Sequence, residues 1–170
     1  MSTIIYNKDN LEEKDINRIS RRAKAVIKNS DNEILLACVN SNYHLPGGHL
    51  EENENFEECL VREIEEEIGA LIPLEERTPI LTITYYNKDY PSVGTNSKTV
   101  ANYYEVCADI VPNLDNVNLT EDEKKGNFKL QYVKESEILD FLNNSLETCT
   151  KKAVVKDTIE AIKEYLNTKR

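Results

Sequence analysis

The stretch from Gly48 to Ala70 constrains this chain more than any other. Its spaced residues read G-x5-E-x7-R-E-U-x-E-E-x-G-U, with U a bulky aliphatic. Gly48, Glu54, Arg62, Glu63, Ile64, Glu66, Glu67 and Gly69 fill the pattern, and Ala70 closes it with a side chain smaller than the pattern asks for. Between Asn55 and Ile68 there is no Pro or Gly, and Phe56, Leu60, Ile64 and Ile68 recur every four residues with Val61 beside them. That spacing predicts an amphipathic helix, which Gly69 ends. At about 100° per residue, Glu63, Glu66 and Glu67 fall within roughly 100° of arc beside the apolar stripe, while Glu58, Arg62 and Glu65 point to the wet side.

Like charges at these spacings oppose a helix by roughly 0.2–0.5 kcal/mol a pair, so a cation between them turns a local conflict into a site. Hard carboxylate oxygens suit Mg²⁺, with Mn²⁺ as substitute, better than zinc. The alternative is a solvated helix face on which Glu58, Arg62 and Glu66 form exposed ion pairs worth little. The preceding Leu45-Pro46-Gly47-Gly48 favours the site, because unhindered backbone is wanted where main-chain groups approach a metal or phosphate.

The Gly48–Ala70 pattern resembles the Nudix box, the signature of the Nudix hydrolases. The resemblance implies an α/β fold, a Nudix-type α/β/α sandwich with a mixed β-sheet. The length suits one domain over residues 1–170, with 1–17 as an N-terminal extension read as a short strand or turn and 147–170 as a C-terminal helix; the resemblance itself covers roughly residues 20–142 in order of elements. The implied reaction is Mg²⁺-dependent hydrolysis of the diphosphate bond in a nucleoside diphosphate linked to another moiety. Glu63, Glu66, Glu67 and the carbonyl of Gly47 are the implied metal ligands, and Glu63 or Glu66 is the implied general base. Gly48, Glu54, Arg62 and Gly69 support the box, with Arg62 and Glu54 pairing to fix loop against helix. Glu121 and Glu123 are candidates for a further carboxylate. His44 and Tyr86 are candidate substrate contacts; His44 and His49, flanking the glycine turn, read first as loop or packing residues, with His49 able to reach a phosphate when protonated. Two rivals keep the resemblance: a catalytically silent nucleotide-binding or regulatory domain, and an isomerase of isoprenoid diphosphates. The intact glutamate set argues against the first, and the second needs a further catalytic Cys and Glu that the strands do not single out.

The chain has 170 residues, ample for a sizeable core, and 31 acidic against 21 basic residues give a formal charge of −10. That balance opposes binding along a nucleic-acid backbone and favours a small nucleotide diphosphate whose charge a divalent cation neutralises. Arg18, Arg21, Arg22 and Lys24 run against the overall sign and are either phosphate contacts or a solvated strand face. No apolar run is long enough to span a bilayer, and no signal layout opens the chain, so no membrane partner and a cytoplasmic location are expected. The scattered Cys38, Cys59, Cys107 and Cys149 read as buried thiols rather than a zinc or disulfide framework. The oligomeric state stays open, a homodimer included.

Around the box, residues 26–27 and 33–39 read as a strand hairpin turning at Asn29–Asn32, and residues 79–86 and 99–111 as two long antiparallel strands. Their tyrosines Tyr85, Tyr86, Tyr103 and Tyr104 suit either base stacking or sheet packing. Residues 119–126 read as a charged loop and 128–133 as a strand. A short helix over 136–142 opens near a Ser cap, and a longer one spans 148–166.

Overall fold

The burial pattern of the strands sorts one sheet into two faces. The computed structural model describes residues 2–169, with strands β1 (Ser2–Tyr6), β2 (Arg18–Lys28), β3 (Glu33–Val39), β4 (Asn42–His44), β5 (Leu81–Asn87), β6 (Ser97–Cys107) and β7 (Lys129–Lys134). The helices are α1 (Phe56–Ile68), α2 (Glu121–Lys125), α3 (Ile138–Ser145) and α4 (Lys152–Thr168), with a single 3₁₀ turn at Glu13–Asp15. Ala23, Ala25 and Ile27 of β2, Leu35 of β3, and Tyr104 and Val106 of β6 pack on Cys59, Leu60, Ile64 and Ile68 of α1. Their neighbours Val26, Ile34, Leu36, Ala101 and Tyr103 face α3 and α4, against Ile138, Leu142, Val155, Ile159, Ile162 and Tyr165. A period of two along each strand thus yields helix, sheet, helix: the α/β/α sandwich that the sequence implies.

The sheet is mixed, in the order β1-β5-β6-β2-β3-β4, with β7 also on β3. β2 runs parallel to β6 over its whole length, Arg18 opposite Ser97 through Lys28 opposite Cys107. β5 and β6 are antiparallel, as expected, though β6 ends at Cys107, short of residue 111, where Ile110 turns back to bond the Ala108 carbonyl. The expected hairpin of β2 and β3 is present but touches only at Lys28 opposite Ile34. From there towards its start, β2 gives its free edge to the segment after β4: the amides of Ala25, Ala23 and Leu50 bond the carbonyls of Pro46, Gly48 and Arg21 at 2.9–3.0 Å.

The N-terminal extension, read as a short strand or turn, contains a strand: Ser2–Tyr6 forms β1, parallel to β5, with the Ser2 hydroxyl on Glu164 at 2.6 Å; Met1 lies outside the described residues. Three other sequence expectations need correction. The charged loop contains α2, nucleated by a reciprocal cap between Thr120 and Glu123. α3 begins at Ile138 with Glu137 rather than Ser136 at its cap, and α4 begins at Lys152, after turns at Leu146–Cys149. Of the cysteines, Cys38 and Cys59 are buried, whereas Cys107 is exposed and Cys149 half-buried. Among the described residues no helix is long and apolar enough to cross a membrane.

The helix that carries the glutamates is bounded as its sequence requires. Asn55 accepts from the Glu58 amide while Glu58 reaches back to the Asn55 amide, both at 2.9 Å. Gly69 ends it at φ +69°, and a Cβ there would stand 2.1 Å from the Asn113 carbonyl oxygen. Asn55→Ala is therefore expected to cost about 1 kcal/mol. Gly69→Ala should cost more, about 1–3 kcal/mol from the left-handed backbone alone, with the clash added. Urea unfolding of the two variants checks the order; a Gly69→Ala chain as stable as wild type contradicts this end of the helix.

Candidate active site

Glu67 leaves α1 into the interior, 5% exposed, and accepts the Gly47 amide at 2.9 Å. That bond joins the last turn of the helix to the glycine turn, which the β2 hydrogen bonds already hold to the sheet. Both glycines are needed for this approach. Gly47 has φ +121°, and a Cβ on it would sit 2.2 Å from the Ala23 carbonyl oxygen; one on Gly48 would sit 2.3 Å from the Glu63 carboxylate.

Arg62 binds the other side of the turn. Its Nε and NH2 fork onto the two oxygens of Glu54 at 2.8 and 2.9 Å, NH2 also donates to the His49 carbonyl at 2.9 Å, and NH1 donates to Glu63 at 2.9 Å and Glu66 at 3.1 Å. The wet-side position expected for Arg62 is thus corrected. Its root is lateral, but the long side chain folds back and is only 23% exposed. The Glu54 fork raises the guanidinium pKa further, and in return Arg62 holds the Glu54 carboxyl below the ordinary carboxylate value.

These residues line one cavity of about 470 Å³. Glu63, Glu66 and Glu67 face it together with Gly47, Gly48, His49, Arg62, Arg22, Lys24 and His44, and Asn118, Thr120 and Glu123 close it from the segment at α2. Of the four basic residues before the box, Arg22 and Lys24 reach it. Lys24 Nζ donates to the Gly47 carbonyl. Burial raises the Glu67 carboxyl to about 7 against the pull of Lys24, and burial also raises Glu63 against the pull of Arg62. Among the described residues no group of three or more His, Cys, Asp and Glu side chains stands ready to hold a metal ion. The contacts give the reason: Arg62 engages Glu63 and Glu66, and the Gly47 amide engages Glu67. The donor set nevertheless fits a hard divalent cation, being carboxylate and carbonyl oxygen with no thiolate in it.

Other expected site residues are divided. Glu123 lines the cavity, but its Oε2 accepts the Thr120 amide at 2.7 Å and hydroxyl at 2.8 Å. Glu121 does not line it and pairs with Lys124 at 3.3 Å. His44 lies between this cavity and a neighbouring one of about 240 Å³, which adds Asn42, Lys151, Asp157 and Thr158. Burial pushes its imidazole down to about 3, and His49, exposed by area and accepting from Arg22 Nε at 2.9 Å, falls to about 4. Both rings are neutral at pH 7, which fits the loop or packing role read for them and not a protonated His49 at a phosphate. Tyr86 is elsewhere, with its hydroxyl on Glu13 at 2.6 Å, in a groove lined by Tyr6 and Tyr85. Tyr103 and Tyr104 are core. Sequence reasoning missed the depth of Lys24 and the approach of Lys151 and Asp157; a lysine inside the apolar run Ala23–Ile27 is the visible trace of the first.

A family model of the NUDIX domain matches residues 19–150, a span that contains the whole glutamate helix and its glycine turn. The chain belongs to the Nudix family. As a Nudix hydrolase it is an enzyme of a family that acts on nucleoside diphosphate-linked substrates and generally uses divalent metals. Solved structures repeat the fold. The MutT NUDIX hydrolase from Burkholderia pseudomallei is similar at TM-score 0.57 and 20% identity, over 87% of this chain and 98% of that one. The MutT protein from Methanosarcina mazei Go1 gives 0.56 and 20% over 91% and 98%, and the NUDIX hydrolase from Nitrosomonas europaea 0.55 and 19% over 90% and 92%.

The fork between Glu54 and Arg62 carries a pH signature. A carboxyl held below its ordinary value of 4.5 stabilises the fold fully above that pH and loses its contribution as pH falls through the depressed value. Glu54→Gln should therefore cost about 1–3 kcal/mol at pH 7, the scale of hydrogen bonds to a charged group. The gap to wild type should hold down to pH 4.5 and close below it. Melting of both proteins from pH 7 to pH 3 measures this; a gap that widens in acid refutes the pairing.

Proposed function

We propose that this Nudix hydrolase cleaves the diphosphate bond of a small nucleoside diphosphate derivative in a Mg²⁺-dependent reaction, with Mn²⁺ as substitute. The observation that carries the reading is the meeting of Glu63, Glu66, Glu67 and the Gly47 carbonyl in one cavity rimmed by Arg22, Lys24 and Arg62. Oxygen ligands for a divalent cation and fixed cations for phosphate oxygens occur together there. A silent binding domain needs only the second set.

Glu63, Glu66, Glu67 and the Gly47 carbonyl are the groups proposed to hold the metal. A divalent cation supplies Lewis-acid neutralisation of phosphate oxygens and lowers the pKa of water. Glu67, buried and on the Gly47 amide, holds the turn and the charge. Glu66, whose side chain is 33% exposed against 14% for Glu63, is the carboxylate most open to water, and we assign it the proton from the attacking water. Glu63, wedged against Gly48, positions rather than accepts. Arg22 faces both cavities and is placed to receive phosphate charge, while the 240 Å³ cavity beyond His44 takes one of the two groups flanking the diphosphate. A net −10 surface favours a small substrate over a long polyanion, which meets repulsion at every phosphate outside the site.

Glu66→Gln and Glu67→Gln change charge with little change in volume. Each should lower Mg²⁺-dependent turnover at least about a hundredfold while keeping the fold, with Glu66→Gln acting on kcat and Glu67→Gln also weakening Mn²⁺ binding. Phosphate or mononucleotide release across nucleoside triphosphates, ADP-ribose, diadenosine polyphosphates, sugar nucleotides and capped RNA measures the loss and names the substrate. Near-normal rates in both variants would move the chemistry out of the glutamate helix. Fastest turnover on capped RNA, falling steeply with salt, would overturn the small-substrate reading.

A further inference from the structure

Lys24 is anomalous where it stands. Its neighbours Ala23 and Ala25 are fully buried against the α1 side, and Lys24 alternates with them onto the α4 side of β2, beside Val26 and opposite Tyr103. From that root its ammonium ends on the Gly47 carbonyl, an oxygen of the proposed metal set, within the field of Glu67 and Glu63. The same side chain lines both the glutamate cavity and the smaller one on the α4 side. Burial lowers the pKa of this half-buried lysine, and Glu67 and Glu63 oppose that shift. Its Nζ already donates to an oxygen of the proposed metal set.

An ammonium and a divalent ion cannot both contact one carbonyl oxygen without strong mutual repulsion. We propose that the Lys24 ammonium is a resident cation that competes with divalent metal for the Gly47 carbonyl, and that metal binding turns it towards the α4-side cavity. The inference rests on the assignment of Gly47 and Glu67 to the metal. Without metal, Lys24 holds the Gly47 carbonyl and keeps the glycine turn in place. With metal, the released ammonium faces the cavity that receives a flanking group of the substrate. Lys24 is a positioning residue in this scheme, and its removal raises metal affinity instead of lowering it.

Mn²⁺ titration of wild type, Lys24→Met and Lys24→Arg, followed by calorimetry and by the free-ion electron paramagnetic resonance signal, tests the competition. Lys24→Met should bind Mn²⁺ at least tenfold more tightly than wild type and gain more melting temperature from saturating Mn²⁺. Lys24→Arg, which keeps the charge, should show no such gain. Equal or weaker binding by a folded Lys24→Met, with wild type still binding, overturns this proposal and leaves the metal assignment standing. Absence of Mn²⁺ binding in both removes the assignment and the proposal together. Wild type alone provides a second measurement that does not depend on the variant folding. Acetylation of Lys24, read by mass spectrometry, should rise severalfold when Mn²⁺ is added, and should not respond to Mn²⁺ in Glu67→Gln. A Lys24 reactivity indifferent to Mn²⁺ in wild type overturns the competition.

Discussion

The buried carboxylate of Glu67 on the Gly47 amide is the contact on which the rest of the site depends. A carboxylate that is 5% exposed is tolerated only with donors and charge supplied locally, and the structure supplies one backbone amide and one lysine. The backbone must therefore come to the helix, which requires a turn with no side chain in the way. Gly47 and Gly48 meet that need, one for its dihedral angle and the closeness of Ala23, the other for the closeness of Glu63. The turn in its turn displaces β3 from most of the β2 edge, which is why the hairpin pairs at a single position. A sheet irregularity, two glycines and a helix position are consequences of one electrostatic requirement.

Charge within the cavity is arranged by rank of exposure. Arg62, partly exposed, takes the carboxylates nearest solvent through a planar fork that lysine cannot reproduce, and the loop geometry follows from the directions of its donors. Lys24, half-buried, lines the same cavity as the deepest carboxylate, Glu67. The histidines at the two ends of the turn are held neutral by burial and by the same basic groups, so positive charge in the cavity comes from arginine and lysine. A protein with an overall charge of −10 thereby presents a cavity in which three glutamates face Arg22, Lys24 and Arg62.

How much of this was legible in the sequence follows from which interactions are periodic. The helix, its cap at Asn55 and its stop at Gly69 obey local rules, and so does the convergence of Glu63, Glu66 and Glu67, because 3.6 residues per turn sets it. The wet-side reading of Arg62 failed because a helical wheel treats side chains as short spokes, whereas an arginine reaches back across a turn and a half to Glu54. Glu121 and Glu123 looked equivalent until the Thr120 cap separated them; the T-x-x-E spacing was there to be read. β1 was legible only as a short strand or turn, since five residues with an exposed Ile5 and a half-buried Ile4 give little alternation to detect. The inner cavity was beyond reach because Lys24, Lys151 and Asp157 come from β2 and from either side of the start of α4, more than 120 residues apart in the chain.

The glutamate site of the Gly48–Ala70 segment is formed mainly by contacts within the segment, to Gly47 and to β2, with the amides of Asn113 and Asn118 on the carbonyls of Ile68 and Glu66. The walls that would recognise a flanking group come from β4, the start of α4 and the segment before α2, none of which the helix periodicity constrains. Tyr86 illustrates the point from the other side: its spacing from the box resembles that of a substrate contact, yet β5 carries it to the Glu13 carboxylate, in a groove that shares no residue with the glutamate cavity. Distance along the chain past the box does not translate into distance from the diphosphate, because the intervening segment, residues 69–80, has no helix or strand to set its reach. The two cavities meet where α4 closes on β2 and β4, and Arg22, Lys24 and His44, which line both, are the side chains through which they are physically joined.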